Sequence, residues 1–445
     1  MSFKEIVKSS GRTLLTTVGV TVLGFAISVL TTRMLGPEGR GLLSGSLLII
    51  GLSTALGRWD LAYSYIYFRG TGLYFHQRRF VYLSALVIGV GTLLLAAVGV
   101  RINDNAILHQ HIALITAFAV VTGLQNYLFN LSQLETSLAF LNLTRISGAI
   151  FNLAALGVLY WLCRPVQFEY ILIGQMVCAL VLIAMCLQWC RLYLFSARPA
   201  PAELASLPRA RTSDMVKYAL NQHGTGLVAL AMTYFDKVYL LKVGTIEEFG
   251  YYTLAFTTSR LIGAIHEAMN TALYSRYAGK EEGELNSSIN TAFRFTLVPM
   301  LVLAGIGSVL APWLIRLAYG PKFDSVTPSF IILMFECVLS GAAWTLAQRF
   351  NAGGKPGLIL RRHVLSLIPL VLMLPFLPKE NISVYLALLM LLGAVLRMII
   401  TLAMYPYVLK QPVPRLVPTM AEIRKLFGMI KARWERRRLG GNESA

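Results

Sequence analysis

The sequence predicts an all-α polytopic membrane protein with about 12 transmembrane helices. Of its 445 residues, 56% are hydrophobic and only 14% are charged, and the mean hydropathy is +0.63. These values are too apolar for a soluble globular domain. Apolar stretches of about 20 residues, the length that crosses a bilayer core as a helix, recur along the chain with short polar breaks. The short connections leave no room for a soluble catalytic domain.

Twelve such stretches can be counted along the chain. We place their centres near residues 22, 52, 90, 120, 152, 182, 228, 262, 303, 337, 367 and 394. The first stretch runs uninterrupted from Leu14 to Thr32 and has no convincing cleavage site. It therefore predicts a retained helix and not a signal peptide.

Basic side chains are distributed unevenly between the two sets of alternate connections. If the N-terminus is cytoplasmic, most of them lie in inner connections and tails, including Arg78, Arg79, Arg361 and Arg362, while the outer connections hold few. This asymmetry agrees with an even number of spans and predicts that both termini are cytoplasmic. It also accounts for the net charge of +19 without a nucleic-acid partner, because no soluble domain is available to bind one.

The longest polar interruption lies almost at the midpoint of the chain. Residues 196–214 are rich in proline and arginine, and we interpret them as a cytoplasmic linker. The linker separates an N-terminal six-helix bundle (1–195) from a C-terminal six-helix bundle (215–408). The remaining residues, 409–445, form a basic tail with an amphipathic pattern, which predicts a cytoplasmic helix that lies on anionic lipid headgroups or binds a partner.

The turn after the first helix returns in the second half of the chain. TTRMLGPEGRGLLSG (31–45) matches LLKVGTIEEFGYYTL (240–254) when the first half is shifted by 209 residues. The shift superimposes Arg33 on Lys242, Glu38 on Glu247, Gly41 on Gly250 and Ser44 on Thr253. Both copies fall between the first and second helix of a six-helix half. We therefore predict two parallel repeats, related by an axis along the membrane normal, around a central cavity.

The first copy of this turn is expected to be a short outer hairpin. Its turn would use four helix-weakening residues, Gly36, Pro37, Gly39 and Gly41. The arginines on either side, Arg33 and Arg40, are expected to lie in the headgroup zone.

Two segments of the chain carry a resemblance to a known family. A first helix that ends in RMLGPEGRGLLS, a midpoint linker, and the seventh-helix segment YFDKVYLLKVGTIEEFGYYTLA (234–255) resemble the polysaccharide transporter branch of the multidrug/oligosaccharidyl-lipid/polysaccharide exporter superfamily, the Wzx-type oligosaccharide flippases. The resemblance implies two six-helix bundles around a cavity in a bacterial cytoplasmic membrane. Sister branches, the drug/cation antiporters and the lipid II flippases, share this fold, so the fold alone does not fix the substrate.

The same resemblance implies a transported substrate and partners. The substrate would be an undecaprenyl-pyrophosphate-linked oligosaccharide, carried from the inner to the outer leaflet for O-antigen or exopolysaccharide synthesis. Membrane lipids, a polysaccharide polymerase and other assembly proteins are the implied partners. By this resemblance the chain is a transporter and not an enzyme.

Charged residues within the apolar stretches are the candidates for function, because an ionised side chain near the bilayer centre costs about 2.5 to 3.5 kcal/mol unless a partner or a wet cavity receives it. Arginine suits a pyrophosphate group because its planar fork binds phosphate through two hydrogen bonds and stays protonated. The candidates for substrate contact are Arg58, Lys237, Arg260 and Arg397. The candidates for ion coupling or charge pairing are Asp60, Asp236, Glu267, Glu336 and His266.

Each candidate also has a structural alternative. Neighbouring charges would then only neutralise each other, Arg58 with Asp60, Asp236 with Lys237, Arg260 with Glu267, and Glu336 with Arg397. His266 would be a hydrogen-bonded packing residue. In the second helix, helical spacing puts one face through Gly51, Ala55, Arg58, Ala62 and Tyr65, and small residues there would let a cavity or another helix approach Arg58.

Two other functions would require different features in the sequence. A drug/cation antiporter of the same fold calls for an acidic cavity without excess arginine, and a membrane-embedded glycan polymerase or glycosyltransferase calls for a sizeable outward loop with catalytic residues. The chain has no GxxxxGK[ST] loop for ATP hydrolysis, and its five cysteines show no metal-ligand pattern. We nominate no catalytic residue, metal site or cofactor, and leave Na⁺ or H⁺ as the possible coupling ion.

Overall fold

The protein is helical throughout the part that the structure describes. The structure is a computed structural model, and it describes residues 3–71, 73–135, 138–163, 165–195, 210–267, 269–270, 282–352, 355–420 and 424. These residues form helices and short connections and contain no β-strand. Most of the predicted linker (196–209) and nearly all of the predicted amphipathic tail helix (421–439) lie outside the described residues.

In the described residues of the N-terminal half there are six main helices and one short helix, Ala106–Gln110. A single helical stretch, Phe3–Gly57, is interrupted at Gly36, and we call the parts before and after it α1 (3–35) and α2 (37–57). Helix α2 continues beyond a break as Leu61–Gly70. The next four helices are α3 (Gln77–Ile102), α4 (Ile112–Leu131), α5 (Ala139–Leu162) and α6 (Phe168–Trp189).

The described part of the C-terminal half contains six more main helices. Helix α7 spans Thr212–Val243, and α8 spans Ile246–Ser259 and continues through a 3-10 turn, Arg260–Gly263. The last four helices are α9 (Glu282–Tyr319), α10 (Thr327–Ala352), α11 (Pro356–Met373) and α12 (Ile382–Met404).

This architecture confirms the predicted all-α polytopic fold. Nine stretches of the described residues are long and apolar enough to cross a membrane, and one of them, Leu15–Gly70, contains both α1 and α2. Helices α7 and α8 are the two that fall outside the nine, and they carry several of the interior charges. Large apolar side chains such as Leu86, Leu94 and Leu317 are more than half exposed, as expected of a surface that faces lipid.

The helical stretch is kinked at Gly36, and one residue forms the kink where the sequence suggested four. Only Gly36 leaves the helical conformation (φ 69°, ψ −175°), a region that glycine adopts without strain. Arg40 Nη1 donates to Thr31 Oγ1 at 3.0 Å, although nine residues of straight helix would separate them by about 13 Å. Arg40 is 8% exposed, so its side chain is buried against the protein.

The chain packs as two units. The first comprises Met1–Leu261, Ala311–Phe330 and Val371–Leu388, and the second comprises Ile262–Leu310, Ile331–Leu370 and Leu389–Ala445. Among the described residues, the first unit has apolar cores around Tyr65 and Ile115, and the second unit has one around Phe293.

Gly41 and Gly250, both in the first unit, show how the two repeats are related by symmetry. A Cβ atom on Gly41 would lie 1.9 Å from the carbonyl oxygen of Ile246, and a Cβ atom on Gly250 would lie 2.9 Å from the carbonyl oxygen of Pro37. Gly41 and Gly250 are equivalent under the 209-residue shift, and so are Pro37 and Ile246. Reciprocal contacts of this kind are the mark of a two-fold axis, which passes here between α2 and α8.

Candidate functional site

The first interior cluster forms where α2 breaks. Arg58 Nε lies 2.9 Å from Asp60 Oδ1, and His223 Nδ1, on α7, lies 3.6 Å from Asp60 Oδ2. The Asp60 side chain is only 3% exposed and that of His223 10%, whereas that of Arg58 is 38% exposed. A buried carboxylate therefore holds a cationic side chain that still reaches an open surface.

The break itself positions this cluster. Trp59 and Asp60 both adopt left-handed backbone conformations (φ 49° and 48°), which disfavour residues other than glycine by about 1 to 2 kcal/mol each. Just before them, a Cβ atom on Gly57 would lie 2.6 Å from Thr92 of α3, so only glycine allows this close approach. The Trp59 ring in turn packs on His223, with 5.5 Å between the ring centroids.

This geometry corrects one expectation. The predicted face from Gly51 through Arg58 to Tyr65 is not continuous, because the helix stops at Gly57 and restarts at Leu61. The sequence prediction assumed continuous helical spacing, so it could not predict the left-handed backbone of Trp59 and Asp60.

The second cluster surrounds Asp236 in the C-terminal half of α7. Lys237 Nζ lies 3.2 Å from Asp236 Oδ2 and donates to the carbonyl oxygen of Thr233 at 2.9 Å. The Tyr252 hydroxyl, on α8, donates to Asp236 Oδ2 at 2.5 Å. Asp236 and Tyr252 are fully buried and Lys237 is 7% exposed. The predicted pairing of Asp236 with Lys237 is therefore present, in a site that the structure closes to solvent.

An aromatic ring joins this cluster to Arg260. Lys237 Nζ lies 3.5 Å from the centroid of the Phe256 ring, and Arg260 Cζ lies 4.2 Å from the same centroid. A cation over an aromatic face gains about 0.5 to 2 kcal/mol, more where water is excluded. Arg260 is partly exposed at the start of the 3-10 turn, so it is the more accessible of the two cations.

The third cluster lies in the second unit, between α10 and α12. Arg397 Nη2 lies 3.2 Å from Glu336 Oε1 and donates to Ser340 Oγ at 2.7 Å, and Ser340 Oγ donates to the same carboxylate oxygen at 2.6 Å. Arg397 is 7% exposed and Glu336 1%. These contacts favour the structural alternative for Arg397, since its guanidinium is already engaged.

Arg362 belongs to the same region, and its predicted place in an inner loop is wrong. It is 2% exposed, and its Nη1 donates to the carbonyl oxygen of Ala343 and to Thr401 Oγ1. The guanidinium also lies over the Trp344 ring, 5.5 Å from its centroid. Helix α11 begins at Pro356, so Arg362 falls nearly two turns inside the helix.

The two remaining candidates lie side by side. His266 is 2% exposed and packs so closely on α10 that a Cβ atom on Gly341 would lie 2.7 Å from its ring. Within the described part of the chain, neither of its ring nitrogens has a hydrogen-bond partner, so the expected hydrogen bond is absent there. Glu267 is exposed.

The buried charges of the described residues are unbalanced in favour of cations. Each of the three buried carboxylates, Asp60, Asp236 and Glu336, has a basic partner. Against these three acidic residues stand five buried basic ones, Arg40, Lys237, Arg349, Arg362 and Arg397.

Sequence reasoning missed several members of these clusters. His223, Tyr252 and Phe256 were not candidates, and for His223 the signal was visible as the polar run Asn221, Gln222, His223 inside an apolar helix. Tyrosine and phenylalanine are common in apolar helices, so the sequence did not indicate that Tyr252 and Phe256 contact the interior charges. Across the residues that the structure describes, no group of three or more His, Cys, Asp or Glu side chains is placed to hold a metal ion.

The chain was compared with known families, curated proteins and solved structures. No family model matches it, and no curated protein matches it. It is similar to a multidrug resistance MATE family transporter of the MOP superfamily in its inward-facing conformation, with a TM-score of 0.63 and 14% identity over 86% of this chain and 93% of that one. It is also similar to the lipid II flippase MurJ in an inward closed conformation, with a TM-score of 0.68 and 12% identity over 87% of this chain and 86% of the other.

A third similar structure is a MOP superfamily transporter from Pyrococcus furiosus, with a TM-score of 0.52 and 12% identity over 89% of this chain and 94% of that one. Sequence identities this low support a shared fold, but they give no information about the substrate. The chain is thus a multi-pass membrane protein with the fold of the MOP-superfamily transporters.

Proposed function

We propose that the chain is a flippase that moves undecaprenyl-pyrophosphate-linked oligosaccharide units from the inner to the outer leaflet of a bacterial cytoplasmic membrane. Transport would proceed by alternating access and supply cell-surface or exopolysaccharide synthesis. A polysaccharide polymerase and other assembly proteins would receive the flipped unit.

The observation that carries this proposal is the balance of interior charge. The described residues bury five basic side chains against three carboxylates. Arg58, which pairs with Asp60, and Arg260 are each partly exposed as well. A pyrophosphate that crosses hydrocarbon unaided loses its hydration at a cost of tens of kcal/mol. Fixed guanidinium groups replace much of that hydration with charge-assisted hydrogen bonds.

The two cationic positions of the first unit lie at different depths. Fourteen residues of α7 separate His223, beside Arg58, from Lys237, beside Arg260, a rise of about 21 Å along the helix axis. This span is about two thirds of a bilayer core of about 30 Å. Arg58 would therefore meet the anionic headgroup nearer one leaflet, and Arg260, which lies on the same aromatic ring as Lys237, would meet it nearer the other. We assign Arg397 a structural role with Glu336.

The polyprenyl chain needs an apolar path of its own. An open groove of about 560 Å³ runs between α2, α7 and the end of α11 within the first unit. Its lining is almost wholly apolar, including Leu52, Leu227, Phe235 and Leu374, with Lys242 at one end. This chemistry supports a lipid tail that stays at the protein surface while the charged headgroup moves inside.

A drug/cation antiporter of the same fold is the second candidate, and the charge balance counts against it, because a cationic substrate would meet neutralised carboxylates and surplus arginines. A membrane-embedded polymerase or glycosyltransferase is the third. The described connections between helices are short, such as 244–245 and 374–381, and offer little room for a catalytic loop.

The test is a flipping assay in proteoliposomes with a fluorescent undecaprenyl-pyrophosphate-linked disaccharide. We expect Arg58→Glu and Arg260→Glu to reduce flipping at least tenfold, because each places a negative charge where the pyrophosphate must pass. Arg316→Glu is the matched control, since Arg316 is exposed and pairs with Asp324 at the end of α9. Flipping at the wild-type rate by folded Arg58→Glu and Arg260→Glu variants would overturn the proposal, as would efficient ethidium antiport by the wild-type protein.

A further inference from the structure

Two basic side chains, Arg58 and His223, lie close enough to pair with the single negative charge of Asp60. Its Oδ1 faces Arg58 Nε at 2.9 Å, and its Oδ2 faces His223 Nδ1 at 3.6 Å. A neutral His223 leaves the carboxylate to Arg58. A protonated His223 would place a second positive charge beside the same carboxylate, and a movement of less than about 1 Å would bring it to hydrogen-bond distance.

The two cations differ in what they can do without Asp60. The His223 side chain is 10% exposed and packs under Trp59. Among the described residues, Asp60 is the one charged partner of His223. The Arg58 side chain is 38% exposed and ends at an open surface, so its guanidinium can turn away and find an anion. A buried ion must be paired, whereas a half-exposed ion need not be.

No other charged group competes at this position. Among the residues that the structure describes, Arg58, Asp60 and His223 have charged partners only within this set of three. From α3 the neighbouring residue is Gly91, which lies against the Trp59 indole. Tyr127 of α4 is a titratable residue of the apolar core around Tyr65.

We infer that His223 is the proton-binding site of this protein, and that a proton on Nδ1 transfers Asp60 from Arg58 to His223 and so releases Arg58 to bind an anionic phosphate group. The inference rests on the proposed function and adds to it the coupling ion and the residues that couple it. One proton binds with one anion, and no covalent bond changes. Loss of the proton returns Asp60 to Arg58 and favours release of the anion.

The break in α2 fits this exchange. Left-handed residues at Trp59 and Asp60 put the carboxylate at a point where the backbone is not held by continuous helical hydrogen bonds. By this inference, a small change at the break would move Asp60 between its two partners.

The inference is tested by calorimetry with inorganic pyrophosphate and purified protein in lipid nanodiscs, in two buffers of different ionisation enthalpy. The wild-type protein is expected to take up more protons on binding than His223→Gln, by up to one per site. Its affinity should fall with rising pH more steeply than that of His223→Gln, by up to tenfold per pH unit, which is the limit for one coupled proton. Protonation of pyrophosphate itself is common to both proteins and cancels in the difference.

Two further variants should shift affinity in opposite directions. Asp60→Asn keeps a residue that tolerates the left-handed conformation, frees Arg58 at every pH, and should bind pyrophosphate more tightly than the wild-type protein at pH 8 with no His223-linked proton. Arg58→Gln should abolish binding. His76→Gln changes a histidine at the N-terminal end of α3 and should leave proton uptake at the wild-type value.

Equal proton uptake by wild type and His223→Gln would overturn the inference and leave the proposed function standing, provided that Arg58→Gln no longer binds. Weaker binding by Asp60→Asn at pH 8 would also overturn it. Absence of any binding by the wild-type protein between pH 5.5 and 8, or unchanged binding by Arg58→Gln, would count against both proposals.

Discussion

Arg33 and Lys242 occupy equivalent positions in the two repeats, and each binds the end of the third helix of the other repeat. Arg33 Nε donates to the carbonyl oxygen of Ala318 at 2.7 Å, and its Nη2 donates to that of Leu317, in the last turn of α9. Lys242 Nζ donates to the carbonyl oxygen of Ile102, the last residue of α3, at 3.2 Å. Cations satisfy the unpaired carbonyl groups at a helix C-terminus and interact favourably with its dipole.

This exchange predicts that the two cations hold the hairpin end of the first unit together. Arg33→Gln and Lys242→Gln should each speed amide hydrogen exchange in residues 37–50 and 246–259, with the larger effect in the double variant. Arg316→Gln is the control, because its exposed pair with Asp324 stays within one repeat and contributes little. Unchanged exchange in the double variant would show that these contacts do not hold the repeats closed.

The glycines at the two-fold axis make a separate prediction. Gly41→Ala should destabilise the protein by at least about 1 to 3 kcal/mol, because the new methyl group would overlap a backbone oxygen that has no room to move. Gly250→Ala should have a smaller effect, since its Cβ atom would meet backbone atoms at 2.9 Å. Thermal unfolding in detergent measures both. Gly24→Ala, with nothing within 4 Å of its Cβ position, should be neutral, and equal unfolding temperatures for all three would contradict the close approach.

The helices could be predicted from the sequence because each membrane span needs about 20 apolar residues. An apolar run of this length is visible without knowing which helix face packs against the protein. The repeat was also predictable, since Gly41 and Gly250 recur with charged neighbours at the same spacing. Their role was misread, however. The turn needs only Gly36, and Gly41 is required for packing against α8, a contact between residues 205 positions apart that local pattern does not encode.

The candidate site was predictable to the extent that charge is rare in apolar helices. Asp60, Asp236 and Glu336 could be nominated from residue type, and their basic partners follow from the need to neutralise a buried charge. The contribution of His223 could not be predicted, because it depends on α7 packing beside the break in α2. The burial of Arg362 was missed because the boundary of α11 is uncertain by about 2 to 4 residues in sequence-based prediction.

Substitutions in the buried pair of Asp236 and Lys237 on α7 can test whether the pair stabilises the fold or serves transport. Asp236→Asn should destabilise the protein by about 3 to 5 kcal/mol, because it leaves Lys237 charged and buried without its carboxylate. Adding Lys237→Gln removes the orphaned charge and should recover most of the loss in a chemical unfolding measurement. If the stable double variant also flips substrate, the pair is structural, and if it folds but does not flip, the pair serves transport. Failure of the second substitution to restore stability would contradict the electrostatic account.

The ring of Phe256 provides the last prediction, because it is the surface on which Lys237 and Arg260 both lie. Phe256→Leu keeps an apolar side chain of similar size but removes the face that attracts the two cations, worth about 0.5 to 2 kcal/mol for each. Arg260 should then lose its fixed position, and flipping of the undecaprenyl-pyrophosphate-linked disaccharide should slow severalfold.

Phe256→Tyr is the matched control, since it keeps an aromatic face, and should flip at close to the wild-type rate. Unfolding measurements on both variants separate a loss of position from a loss of fold. Equal flipping by Phe256→Leu and Phe256→Tyr would mean that the ring only fills space, and that Arg260 acts, if at all, without being held in place. A deficit confined to Phe256→Leu, with both proteins equally stable, would tie the rate to the orientation of the two cations.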